Sequence, residues 1–181
     1  MVYGVILEEG EKYFTDMKKV FRAIGDVQLN YNWLITNAET VSTQFFDDAD
    51  YFHTDYRWLS GDKLTERINT GEYYQWIWGV FSGFAKDVPE DEVIEYPLPF
   101  ADCNGKLWEY PLKLQHRLAE IEIISFDASC MLLLAKDKRI IDRFKEAYPM
   151  CEDLLEYNIE YQKWLAEYNK ERREKLEVKE V

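Results

Sequence analysis

Leu118-Ala119-Glu120-Ile121-Glu122-Ile123-Ile124-Ser125-Phe126, followed by Asp127-Ala128-Ser129 and then Cys130-Met131-Leu132-Leu133-Leu134-Ala135, is the stretch that decides the fold class. Its first run alternates. Ala119, Ile121 and Ile123 fall on one side and Glu120 and Glu122 on the other, which is the period of a strand with one wet face. The last run is apolar throughout and short enough for a buried strand. Three residues between them are too few for a crossover helix, so the two strands pair antiparallel. Glu120 and Glu122 then read as a solvent-facing stripe, although two carboxylates on one face can also divide acid and base roles.

Outward from this hairpin, strands and helices mix without a regular strand-helix-strand alternation. That places the chain in the α+β class, as a mixed, mostly antiparallel sheet with helices packed on it and a long C-terminal helix. Residues 2–7, 31–36, 40–45 and 57–59 read as strands. Residues 73–81 are the most aromatic run and read as a central strand, with Gly79 marking a bulge or a close backbone approach. In that strand Trp76 and Trp78 are expected on one face. Helical spacing covers residues 11–24, a segment capped by Ser60, a turn after Pro89, a segment capped by Asp137, and residues 152–178. Pro97, Pro99 and Pro111 make the region between irregular. Inside it, Asn104-Gly105 predicts a two-residue hairpin turn between residues 100–101 and 107–108. The expected organisation is one domain over residues 1–151 and a C-terminal helix with a charged tail over 152–181.

The chain has 181 residues, 47% apolar and 16% aromatic, which suffices for a core without metal or disulfide. Cys103, Cys130 and Cys151 show no paired spacing, and a reducing cytoplasm is the simpler setting. No apolar run approaches the ~20 residues that span a bilayer, and residues 1–9, without a basic n-region and soon acidic, are not expected to act as a signal peptide. Formal net charge is −13. Such a chain is a poor binder of nucleic acid or anionic membrane, because phosphate contacts need clustered Lys and Arg. A basic protein partner suits it better. The tail takes no part in this charge. Residues 166–181 carry five acids (Glu167, Glu171, Glu174, Glu177, Glu180) and five bases (Lys170, Arg172, Arg173, Lys175, Lys179).

Two acidic segments stand out, residues 44–62 and 86–95. Whether they meet on one surface decides whether the charge is a site or only an aid to solubility. The first holds the strongest polar cluster, Asp47, Asp48, Asp50, His53 and Asp55, interleaved with Tyr51, Phe52 and Tyr56. Its spacing does not match a calcium loop, and no helical two-histidine zinc motif exists, so no metal or cofactor is expected. Acids with aromatics in a loop suit docking onto a protein. Trp76 and Trp78 are further candidates for a binding surface, against the plainer reading of core packing. Thiol catalysis would need Cys103 activated by His116, with Asp102 or Asp127 orienting the imidazole. Nothing local to Cys103 marks it as a nucleophile, so these two are weak catalytic candidates. Residues 79–83 lack the nucleophile-elbow pattern, and no phosphate loop is present. Tyr157, Tyr161, Trp164 and Tyr168 form a seam expected to pack on the body. The alternative is a helix that meets a partner or a second copy.

Gln75-Trp76-Ile77-Trp78-Gly79-Val80-Phe81-Ser82-Gly83-Phe84, Pro97-Leu98-Pro99-Phe100-Ala101-Asp102 and Gln115-His116-Arg117-Leu118-Ala119-Glu120-Ile121-Glu122 resemble a family of small uncharacterised cytosolic proteins of Gram-positive bacteria, a domain of unknown function. The resemblance covers residues 31–158 and leaves the tail outside. It implies bacterial origin and a cytoplasmic location, and it brings no activity or site. The expectation from the residues themselves is an acidic protein-binding module, of the kind that masks a toxin or nuclease. A small-molecule binder or enzyme near the Trp-rich strand, Cys103 and His116 is the alternative.

Overall fold

The computed structural model describes residues 1–10, 15–42, 51–69 and 74–177. Its strands form one seven-stranded antiparallel sheet, with β1 (Tyr3–Leu7), β2 (Tyr31–Ser42), β3 (Tyr56–Ser60), β4 (Tyr74–Ala85), β5 (Ile121–Phe126), β6 (Cys130–Ala135) and β7 (Glu152–Asp153) in the order β3-β2-β4-β5-β6-β1-β7. The hairpin expected over residues 118–135 is β5–β6, paired from Ile121↔Ala135 to Phe126↔Cys130. Its turn puts Asp127 and Ala128 both at φ 50°, and Ser129 N–H donates to Phe126 O. Two left-handed central residues suit the right-handed twist of the flanking strands.

Both faces of the sheet are covered. On one lie α1 (Met17–Ala23), α2 (Gly61–Asn69) and α4 (Lys138–Ala147), whose buried residues pack against Val5, Trp33, Trp76, Phe81, Ile123 and Leu133. Ser60 and Asp137 each accept a backbone N–H at a helix start, as expected of caps. Asp16 does the same for α1, which therefore begins only at Met17 within the span 11–24 expected for it, of which 11–14 lie outside the described residues. The other face carries Ile6, Val80, Ile124, Leu132 and Leu134, under Ala101, Leu107, Leu112 and Leu154. That cover comes from the irregular stretch 86–120 and from α5 (Leu154–Glu177). No described helix is long and apolar enough to cross a membrane.

β2 runs unbroken to Ser42 where two strands, 31–36 and 40–45, were expected, because it contains a bulge; residues 43–45 lie outside the described residues. Thr36 pairs with Val80 and Glu39 with Trp78, three residues against two; Asn37 sits there at φ 49°. One step on, Trp78 and Trp76 oppose Glu39 and Thr40, which places an extra residue, Ile77, on β4. Each bulge reverses the in-out alternation of its strand. Trp76 therefore joins the helix-side core while Trp78 packs on the other face, correcting the expectation that they share one. Gly79 makes room for this, since a Cβ there would stand 3.0 Å from the Trp76 ring.

Two further expectations are corrected. Asn104-Gly105 does not turn a hairpin. Asn104 accepts Lys106 N–H with its side chain and starts a 3-10 turn, Gly105–Trp108. With prolines at 97, 99 and 111 the flanks lack the donors a ladder needs. Glu122 is not on a wet face either. It is fully buried, because the stretch 86–120 covers the side that its alternation assigned to solvent.

Candidate functional site

β3 closes one edge of the sheet and, among the described residues, pairs only with β2, so none of them covers its outer edge. The segment entering it is pinned at several points. Arg57 Nε donates to Tyr51 O at 2.6 Å, and the guanidinium groups of Arg57 and Arg67 lie 4.7 and 4.3 Å from the Tyr51 ring centroid. Thr40 N–H donates to His53 Nε2 at 3.1 Å, tying the loop to β2. His53 and Asp55 line an open depression of about 580 Å³ together with Asn37, Ala38 and Glu39.

The second acidic segment folds onto the same edge. Asn32 Nδ2 donates to Lys86 O at 3.3 Å, and the Tyr56 hydroxyl donates to Glu90 Oε1 at 3.2 Å, joining β3 to α3 (Glu90–Val93). Desolvation and then the Glu90 carboxylate raise the Tyr56 pKa above its ordinary value. The two segments therefore share a surface. Its described acids are Asp55, Asp87, Glu90, Asp91, Glu92 and Glu95 against the bases Arg57 and Lys86, six against two, whereas Asp62 and Lys63 start α2 on the opposite face of the sheet. All but Glu90 of those acids are exposed. Asp47, Asp48 and Asp50 lie outside the described residues. Among the described residues, no group of three or more His, Cys, Asp or Glu side chains is placed to hold a metal.

Phe52 and Trp76 are corrected as binding residues. They are 1% and 0% exposed and pack on each other with tilted rings, centroids 4.8 Å apart, inside the helix-side core. Alternation within an acidic loop hides this inward turn of Phe52. Trp78 is half-buried and stands edge-on to Phe126 at 4.8 Å. Phe126 in turn meets Trp108, and Trp108 meets Tyr157 and Tyr161 of α5.

Cys103 and His116 do not form a catalytic pair. His116 is buried, its Nδ1 accepts Leu118 N–H, and its Nε2 lies 3.1 Å from Val93 O. With Nδ1 accepting, Nε2 carries the proton and the ring is neutral. Burial lowers its pKa, consistent with that state. Both nitrogens are thus spent within the fold. Cys103 is exposed, and a hydrogen bond to the Asp102 carboxylate raises its thiol pKa, the opposite of what a nucleophile needs. The buried carboxyl near His116 is Glu122, which accepts Gln115 N–H on Oε2 and His116 N–H and the Ser82 hydroxyl on Oε1. These bonds fasten residues 115–116 to β5.

That fastening shapes a cleft of about 460 Å³ between residues 97–100 and 104–115, walled by Pro97, Phe100, Tyr110 and Leu114 and edged by Lys106 and Lys113. Gln115 Oε1 accepts Phe100 N–H and Asn104 Nδ2–H, so the amide orientation is set by its partners. Its Nε2 is buried and has no hydrogen-bond partner among the described residues. Asn37, in the β2 bulge, accepts Ala101 N–H and Asp102 N–H and holds the cleft to the sheet. Sequence reasoning marked neither Asn37 nor Gln115 as a site residue and read Asn104 only as part of a turn. The one signal for them is an amide side chain beside a proline-rich run. Comparison with known proteins finds no family model, no curated protein and no solved structure that matches the chain.

Proposed function

We propose that the chain is a protein-binding module whose open β3 edge and adjoining α3 dock a basic protein surface. The observation that carries this is the Tyr56–Glu90 hydrogen bond, which unites two acidic segments 34 residues apart. An unpaired strand edge adds backbone donors and acceptors to that charge. Excess acid of this kind speeds encounter with a basic partner and disfavours nucleic acid and anionic membranes. Masking the basic surface of a nuclease or toxin is one task such a face can perform. A reducing, cytoplasmic setting suits the three free cysteines.

The test compares the full chain with a variant carrying Asp87→Lys, Asp91→Lys and Glu92→Lys, all at exposed positions. Each is used to capture proteins from bacterial extract at low salt. A basic protein retained by the native chain, lost by the variant and released by added salt supports the reading. Identical retention by both chains refutes it.

The cleft favours a second reading, a small-molecule binder. The buried, unpartnered Gln115 Nε2 in its wall calls for an acceptor, and Lys106 and Lys113 favour an anion. An amphipathic aryl carboxylate or sulfonate fits this lining. Anilinonaphthalene sulfonate titrated against the chain and against Gln115→Leu tests it. Equal binding by both removes the cleft from consideration.

A further inference from the structure

One row of side chains on α5 is aromatic at its centre and opposite in charge at its ends. Glu156, Glu160, Trp164, Tyr168 and Arg172 stand four residues apart and so share a line along the helix. The docked face of α5 is a different one. Leu154 and Asn158 are buried, Asn158 Nδ2 donates to Leu107 O and Glu109 O, and Gln162 Nε2 donates to Trp108 O. Every residue of the row is exposed, with Trp164 at 55% and Tyr168 at 49%. The two rings stack at 5.5 Å and 19°, and the helix from Ala166 to Lys175 has no buried residue. The expectation that the whole seam packs on the body therefore holds only as far as Tyr161.

We propose that this row pairs with the same row of a second copy, α5 crossing α5 antiparallel about a two-fold axis between Trp164 and Tyr168. In that register Trp164 meets Tyr168 of the second copy and Glu160 meets Arg172 of the second copy. Each contact then occurs twice, as a two-fold interface requires. The charge distribution selects this partner and this direction. The acidic body repels its own kind, whereas residues 166–181 are neutral. Residues 152–160 hold Glu152, Asp153, Glu156 and Glu160 and no base. Residues 170–175 hold Lys170, Arg172, Arg173 and Lys175 against two acids. An antiparallel pair lays the acidic start over the basic end, and a parallel pair opposes like to like. Within one helix Glu160 and Arg172 are about 18 Å apart and cannot reach each other.

Rows of four-residue spacing pack at a steep crossing angle, so the contact is local. Four half-exposed aromatic side chains withdraw roughly 400 Å² from water, below the ~1,200 Å² at which stable interfaces begin. The pair is accordingly weak, with a dissociation constant on the order of micromolar to tens of micromolar.

Sedimentation equilibrium on the full chain from about 5 to 500 µM, at low salt, tests this. The native chain is expected to dimerise reversibly, and Trp164→Ala with Tyr168→Ala to stay monomeric throughout. Glu160→Arg alone and Arg172→Glu alone each weaken the dimer about tenfold. The chain carrying both reversals regains it, because the pair is restored only between copies. A native chain that is monomeric at all concentrations overturns the proposal. So does a dimer that survives loss of both rings, or a double reversal that fails to rescue. All four positions are exposed, so circular dichroism is expected to match between variants.

Discussion

Glu122→Gln alters how stability depends on pH, and the surroundings of the carboxyl set the size of the change. Burial pushes its pKa up to about 7, against the two N–H donors, the Ser82 hydroxyl and the Lys136 charge that favour the ionised form. In the unfolded chain the same group titrates near 4.5. Between those values the folded chain binds more protons than the unfolded one, so stability falls as pH rises. The contribution is fully present below about 4.5 and is lost as pH climbs through about 7. That gap corresponds to about 3 kcal/mol. His116 acts in the opposite sense. Its lowered pKa means that stability is lost as pH falls from 6.5 through the folded value. The substitution leaves the imidazole in place, so the difference between the two stability profiles isolates Glu122. Asp137, whose carboxyl is held below its ordinary value by Arg139, acts only below 3.8.

Urea unfolding of both chains at about pH 5, 6, 7 and 8 supplies the measurement. Near pH 5 the variant is expected to be the weaker by about 1–3 kcal/mol, since its amide nitrogen faces a backbone N–H and leaves it unbonded. By about pH 8 most of 3 kcal/mol has moved in its favour, bringing it level with or ahead of the native chain. A stability gap that stays constant from pH 5 to pH 8 refutes the reasoning, because the carboxyl would then titrate alike folded and unfolded.

Three other outcomes follow from single positions. Ala128 holds φ 50° in the β5–β6 turn, so Ala128→Gly is expected to raise stability by about 1 kcal/mol in the same urea assay. Trp76→Ala empties a site at 0% exposure beneath Phe52 and Phe81, and a loss of about 3–5 kcal/mol is expected by thermal or urea unfolding. Cys103 should react with iodoacetamide more slowly than a free thiol at neutral pH, since Asp102 holds it protonated; faster alkylation would reopen its case as a nucleophile.

The β5–β6 hairpin was legible because its period and its three-residue turn are local properties. Ser60 and Asp137 were legible as caps for the same reason, each acting within three residues of itself, whereas Asp16 falls in the interior of the helix expected over 11–24 and is instead the cap of α1. The sites of failure share a different physics. Trp76 and Trp78 are two apart in sequence, but Ile77 is an extra residue against β2, and a bulge has no composition of its own. Glu122 alternates as a wet residue should. Its burial is decided by the stretch 86–120, whose prolines and short turns show no hydrophobic period. Asn104-Gly105 carries the dipeptide of a hairpin turn, yet the Asn104 side chain supplies the turn's acceptor and no strands flank it. For the acidic face, the charge was visible in composition and the adjacency was not, because the Tyr56–Glu90 contact spans 34 residues.

The two proposed contacts make different demands on salt, and this separates them in one experiment. The β3–α3 face offers six described acids against two bases, so docking there is long-range and weakens steeply as the Debye length falls from about 30 Å at 0.01 M to about 8 Å at 0.15 M. The α5 row contributes only two ion pairs per dimer around a stacked aromatic centre, and its association falls far less. The sheet order also keeps the contacts apart, with β3 at one edge and β7, which leads directly into α5, at the other. Six strand spacings separate those edges, about 29 Å. A dimer joined through α5 would therefore carry two acidic faces, and a partner immobilised at high density would bind both. Apparent affinity for such a surface then exceeds that of the Trp164→Ala, Tyr168→Ala chain by about 10²-fold or more, although neither residue belongs to the acidic face. Equal affinity of the two chains on a dense surface would show that the faces act singly.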